Sequence, residues 1–215
     1  SSIASDAKKK QKGNYFESNF NYGLTLNRLN QNFQPSSGYK TTFAQTLPIY
    51  ADDMSIVNTF DASRYFSPNE NAIFSLKFLA QSITSLGGDD VRVSKRLYIP
   101  SRRLKGFESG RVGPKDGADF VGGNYATALN FATTLPGLLP DLENIDFSFF
   151  VDAANVWGID YSDTLNDSSK IRSSTGLAID WLTPIGPLSF SFAQALTKAD
   201  TDKTETFRFD IGTTF

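Results

Sequence analysis

The strongest constraint on what this chain can fold into is the two-residue period of its last stretch, Glu205 to Phe215 (ETFRFDIGTTF). Phe207, Phe209, Ile211 and Phe215 fall on one face, and Arg208, Asp210 and Gly212 on the other. Side chains along a β-strand point alternately to opposite faces, so the pattern reads as a strand with one apolar and one polar side. A run of about ten residues that ends on an aromatic matches the length of a tilted strand crossing a bilayer.

The same design recurs upstream. Alternation predicts strands over 15–26, 39–47, 54–66, 72–84, 123–135, 145–157, 171–182 and 188–197, which with the terminal stretch makes nine. The seventh is the cleanest, with Ile171, Leu177, Ile179 and Trp181 on one side and Arg172, Ser174, Gly176, Ala178 and Asp180 on the other; the third, 54–66, is less regular. Turn residues punctuate the series at Pro35 and Gly38, Ser67 to Glu70, Pro136 to Asn144 and Pro184 to Pro187. One connection stands apart: Ser85 to Gly122 is rich in Gly, Arg, Lys and Asp, and a loop that long inside a regular β pattern points to function or disorder. Connections after the third, fifth and seventh strands are short and those after the fourth and sixth are long, as in barrels with short turns on one side of a membrane and longer loops on the other. On this reading the carboxyl terminus lies on the short-turn side.

Composition narrows the choice of function. Aromatic content is 13%, with 19 Phe, yet mean hydropathy is slightly negative, so apolar residues are dispersed among polar ones. No apolar run approaches the roughly 20 residues that a membrane helix needs. The chain has no Cys and no His, which removes thiol nucleophiles, disulfides, imidazole bases and the commonest zinc ligands. No cofactor or metal site is expected, and no enzymatic activity. A net charge of −2 gives no basic groove for nucleic acid. The Lys-rich start, Ser1 to Gly13, reads as a solvated tail.

Alternation alone does not say which face is inside: a soluble β-sandwich or binding module would bury the Phe/Leu/Ile side, a membrane barrel the other. The polar faces carry Asn, Ser, Thr, Gly and Ala where a solvated outer face would be dense in Lys and Glu. Aromatics gather near strand ends, at Tyr15, Tyr39, Phe66, Trp157, Trp181 and Phe215, as in interfacial girdles. Both features favour an all-β, antiparallel transmembrane β-barrel occupying residues 1–215. Nine strands do not close easily, because bacterial single-chain barrels are even-numbered, so either the count is off or the chain is part of a larger barrel.

Specific motifs agree. Arg103-Leu104-Lys105-Gly106-Phe107, then Val112 to Lys115 (VGPK) and Val121 to Asn124 (VGGN), resemble the sixth extracellular loop of the BamA branch of the outer-membrane assembly-factor superfamily. The similarity continues through Phe149 to Asp152, Asn155 to Trp157, Trp181 to Phe192 (WLTPIGPLSFSF) and the terminal FRFDIGTTF, and so covers most of the chain from Asn19 onward. The resemblance implies the carboxyl-terminal part of a sixteen-stranded barrel in the bacterial outer membrane, without the early strands and the periplasmic POTRA domains. It also implies a loop, here at about 85–122, that folds back into the lumen, its tip Lys105, Gly106 and Phe107 meeting acidic groups on the inner wall. Two positions depart from the family pattern: Lys105 stands where Arg is usual, and Asn130 where relatives often carry Glu, while Asp152 keeps its acid. The expected lumenal contact is therefore a point-charge pair from Lys105 to Asp152, with Arg103 a candidate to substitute. Gly212 is either a plain irregularity or the kink that the family places near its seam.

Two functions of different class follow. In the first, an insertase folds and inserts β-barrel clients by adding their strands at a seam bounded by Phe207 to Phe215; unfolded outer-membrane proteins, the lipid bilayer and other subunits of an assembly machine are its partners, and nucleic acid is not. In the second, a pore-type transporter, porin-like or of the two-partner secretion kind, uses the loop as a gate.

Overall fold

The computed structural model describes residues 9–211 apart from 10, 12, 33, 89, 140–143, 166–169 and 185. Parts of the Lys-rich start, the middle of the 136–144 turn, Ile185, and Gly212 and Phe215 of the terminal strand lie outside the described residues. Nine strands form one antiparallel sheet in sequence order: β1 (Glu17–Asn27), β2 (Gly38–Ala51), β3 (Ser55–Asn69), β4 (Ala72–Ser85), β7 (Tyr125–Leu135), β8 (Ile145–Trp157), β9 (Arg172–Thr183), β10 (Gly186–Thr197) and β11 (Phe207–Ile211). The remaining two, β5 (Lys115–Asp116) and β6 (Asp119–Phe120), make a minimal hairpin within the long loop. Among the described residues β1 and β11 each pair on one side only and not with each other, so the sheet is open, as part of a larger barrel would be.

Register explains why the alternation could be read at all. Asn130 lies opposite Asp152 and Phe131 opposite Val151, so directly paired residues share a face of the sheet. The apolar side is the outer one: Phe149 is 58% exposed and Phe209 44%, whereas Asn130 and Asp152 on the opposite side are 7% and 0% exposed. Cross-strand aromatic pairs staple that outer surface, Phe66 to Phe74 at 5.0 Å, Phe190 to Phe209 at 4.9 Å and Phe192 to Phe207 at 5.0 Å between ring centroids. A face of this kind is stable against hydrocarbon, where a soluble sandwich would have to cover it.

The inner side is not uniformly wet. Small apolar residues on β7 and β8 (Ala126, Ala128, Ala154 and Val156) leave room on the wall, and Ile99, Leu104, Phe107 and Val112 of the long loop fill it. The buried core of the chain is thus a loop packed on a wall of alanines.

Two local features differ from the sequence reading. The strand through Phe66 continues to Asn69 and the turn sits at Glu70–Asn71, because a register shift between Phe66 and Asn69 absorbs Pro68, which donates no ladder hydrogen bond. The connection 28–37 lies on the same side as the short turns yet is long. Asn30 Oδ1 closes it by accepting the Ser36 and Ser37 N–H groups at 3.2 and 3.1 Å, and Gln34 Nε2 reaches across the open mouth to Asp146 Oδ2 at 2.7 Å.

Candidate functional site

Between β4 and β7 the chain turns back over the polar face. The base of this loop is closed by an antiparallel bridge, Leu97 N–H to Gly123 O at 2.8 Å and Gly123 N–H to Leu97 O at 3.0 Å. Arg96 locks the base: its buried guanidinium donates to Asn124 Oδ1 at 2.9 Å and Gly158 O at 3.3 Å, and pairs with Asp160. Burial works against the charged form of Asp160, but hydrogen bonds from Asn124, the Val91 N–H and Arg96 together outweigh it and hold the carboxyl below its ordinary value.

A 3-10 turn, Ser101–Arg103, then delivers the tip. Lys105 Nζ lies 2.8 Å from Asp152 Oδ2 and 4.0 Å from the centroid of the Phe150 ring, and the Lys105 N–H donates to the same carboxylate oxygen at 3.1 Å. Asn130 Nδ2 donates to the other oxygen, Asp152 Oδ1, at 2.8 Å and to Arg103 O at 2.8 Å. The fully buried carboxylate therefore has three donors, and Asn130 joins wall to loop where an acid would have added a second charge.

Arg103 does not stand in for the family's arginine at Asp152. Its guanidinium pairs with Asp61 on β3 and donates to Asn130 Oδ1 at 3.2 Å. Gly106 has a φ of +88°, and a Cβ there would meet Ala193 Cβ at 3.1 Å and Ser174 Cβ at 3.3 Å, so both conformation and contact demand glycine. Phe107, only 1% exposed, buries its ring in the alanine-walled core.

Lys105, Asp152, Asn130, Arg103, Leu104, Gly106 and Phe107 thus come together. The seam residues do not join them: Phe207, Phe209 and Ile211 project from the outer face of β11, and Gly212 and Phe215 lie outside the described residues.

Five contributors escaped the sequence reading. Asp61 sits in the irregular third strand, yet its parity with Thr59 and Ser63 would have placed it on the inner wall. Phe150 is an aromatic on the inner side, admitted because Gly176 lies opposite it; a Cβ on Gly176 would approach the Phe150 ring to 2.8 Å. Arg172 and Asp202 form a buried bidentate pair at 2.8 and 3.0 Å that fixes the 198–206 connection. Arg208, on the inner side of β11, donates to two backbone carbonyls of the loop.

Comparison with known proteins agrees with this architecture. The family model described as the Omp85 superfamily domain matches residues 1–215. The outer membrane protein assembly factor BamA of Neorickettsia risticii is 29% identical over 217 residues, covering 99% of this chain and 29% of that protein. BamA of Neisseria meningitidis serogroup B is 30% identical over 141 residues, 52% of this chain and 17% of its own length. A sorting and assembly machinery component 50 homolog of Bos taurus is 24% identical over 171 residues, 76% of this chain and 36% of its own. The crystal structure of BamA from Haemophilus ducreyi lacking POTRA domains 1–3 superposes with a TM-score of 0.81 at 27% identity, covering 89% of this chain and 41% of the other. The chain spans less than half the length of each of these relatives.

Proposed function

Because this chain belongs to the Omp85 superfamily and is part of an outer-membrane β-barrel, we propose that it is the barrel portion of an assembly factor that folds and inserts other β-barrels by strand augmentation at a seam beside β11. The observation that carries this reading is the match along 99% of the chain to a protein named as an outer-membrane assembly factor. Among the described residues β11 meets β10 over five pairs, Leu188↔Ile211 to Phe192↔Phe207, where the other neighbouring strands of the sheet share nine or more. A lightly paired strand can exchange its backbone donors and acceptors with those of an incoming strand. Strand exchange swaps one set of backbone hydrogen bonds for another, so it needs neither nucleotide nor catalytic side chain. On this reading the clients are unfolded outer-membrane proteins, the surrounding bilayer receives them, and accessory subunits act alongside. Gly212 and Phe215 belong to the same proposed seam.

The pore-type alternative has less support, since the inner wall is filled by the packed core of the loop and the relatives bear the names of assembly components. In the complete protein, photocrosslinkers at Phe207 and Phe209 should capture a β-barrel client during its folding, while one at Phe149, on the outer face of β8, should capture much less. Equal capture at all three positions, or a steady ion conductance abolished by Lys105→Ala, would favour the transporter.

A further inference from the structure

Arg208 is the only basic residue of β11, on the strand's inner side. Its guanidinium reaches back across the lumen, Nη1 donating to Ser101 O at 2.6 Å and Nη2 to Phe107 O at 2.5 Å, and it pairs with Glu205. Ser101 opens the 3-10 turn of the loop and Phe107 closes its tip, so the two carbonyls bracket the segment that holds Arg103 and Lys105. A short ladder runs alongside: Glu205 N–H to Gly106 O at 3.1 Å, Glu108 N–H to Lys203 O at 3.0 Å and Lys203 N–H to Arg111 O at 3.0 Å. The same tip is anchored at its other end on β7 and β8, through Asn130 and Asp152.

The terminal strand is therefore held by two unlike attachments. One is the register with β10, five pairs among the described residues; the other is the loop, whose own position depends on a charge pair elsewhere on the wall. Two carbonyls at fixed spacing suit the planar fork of an arginine, which can satisfy both at once, whereas a lysine ammonium is a single point charge on a flexible stem.

We propose that Arg208 is a positioning residue that makes the hold on the terminal strand depend on the seating of the lumenal loop, so that unseating the tip from Asp152 loosens β11 and freeing β11 loosens the tip. The coupling is reciprocal, as any equilibrium linkage between two sites must be. It deepens the seam reading above and rests on it for its use: a loop that senses one side of the barrel would set how readily the edge strand accepts a client.

The test is hydrogen exchange of the complete protein in phospholipid bilayers without client, followed at residues 207–211. Lys105→Ala, which removes the partner of Asp152 on β8, should speed exchange of β11 about tenfold, the equivalent of losing one or two hydrogen bonds. In an Arg208→Ala background β11 should already exchange fast, and adding Lys105→Ala should change it by less than about twofold; Arg208→Lys should fall between. Unchanged β11 exchange in Lys105→Ala, or effects of the two substitutions that simply multiply, would overturn the coupling, because an arginine that anchors β11 only locally predicts one or the other. If Arg208→Ala loses the heat-modifiable mobility of a folded barrel, the Arg208→Lys pair carries the same comparison. Client crosslinking is read separately: loss of capture with the coupling intact overturns the assembly reading alone, and capture without coupling overturns this proposal alone.

Discussion

Removal of the Lys105 ammonium is the sharpest perturbation of the lumenal site. Lys105→Ala leaves a fully buried carboxylate with two neutral donors, the backbone N–H at 3.1 Å and the Asn130 amide at 2.8 Å. Stripping one partner from a buried ion pair costs about 3–5 kcal/mol. The two surviving hydrogen bonds, together with the 20% of the Lys105 side chain that water already reaches, bring the expected loss to about 2–3 kcal/mol. At about 1.4 kcal/mol per factor of ten, the tip should leave its seat about 30–150 times more often. A thiol under the loop reads this directly. The chain has no Cys, and Ser174, 0% exposed beneath Gly106 with a hydroxyl that donates to none of the described residues, is the position for it. Maleimide labelling of Ser174→Cys should accelerate by that factor when Lys105→Ala is added. Exchanging the two charges, Lys105→Asp with Asp152→Lys, should restore little, since the Asn130 amide and the residue 105 N–H would then point donors at an ammonium. Labelling within about twofold of the parent would refute the reasoning, showing that hydration and not the pair stabilises Asp152.

Three further outcomes follow from the same geometry. Gly176→Ala would push a methyl to 2.0 Å from Phe192 O and 2.8 Å from the Phe150 ring, and should lower stability in urea by about 2–3 kcal/mol. Phe107→Ala should empty the centre of the loop core at a cost of about 3–5 kcal/mol, raising Ser174→Cys labelling more than Lys105→Ala does. The carboxyl of Asp160 is held below its ordinary value, so its contribution is fully present above about pH 5 and is lost as the pH falls through the lowered value; protease cleavage around the loop base should rise on acidification, and Asp160→Asn should flatten that rise.

The sheet was legible because one wall meets lipid along its whole length, which forces a two-residue period on every strand long enough to cross. Tyr125 to Leu135 and Ile145 to Trp157 show the pattern strand by strand, and the motif around Lys105 pointed to Asp152. What the period could not convey was partnership between distant inner residues. Arg103 finds Asp61 at a separation of 42 residues and Arg208 finds Ser101 at 107, and such pairs exist only once the sheet has curved and the loop has folded in. Arg103 was readable as a cation near an acid, but which acid depended on where the 3-10 turn at Ser101–Arg103 aims it. Phe150 was hidden for a different reason: an aromatic at an inward position breaks the polar pattern, and only the bare backbone of Gly176 across the ladder makes room for it.

The segment from Arg103 to Phe107 touches the third strand of the sheet through Asp61 and the ninth through Arg208. Measured along the surface those strands lie about 29 Å apart at the usual spacing of neighbours, while five residues stretch no farther than about 18 Å. The tip is thus a chord drawn beneath an arc, closed at each end by the arm of an arginine. A chord and the arc above it together set a radius, so the seated tip limits how far these strands can flatten.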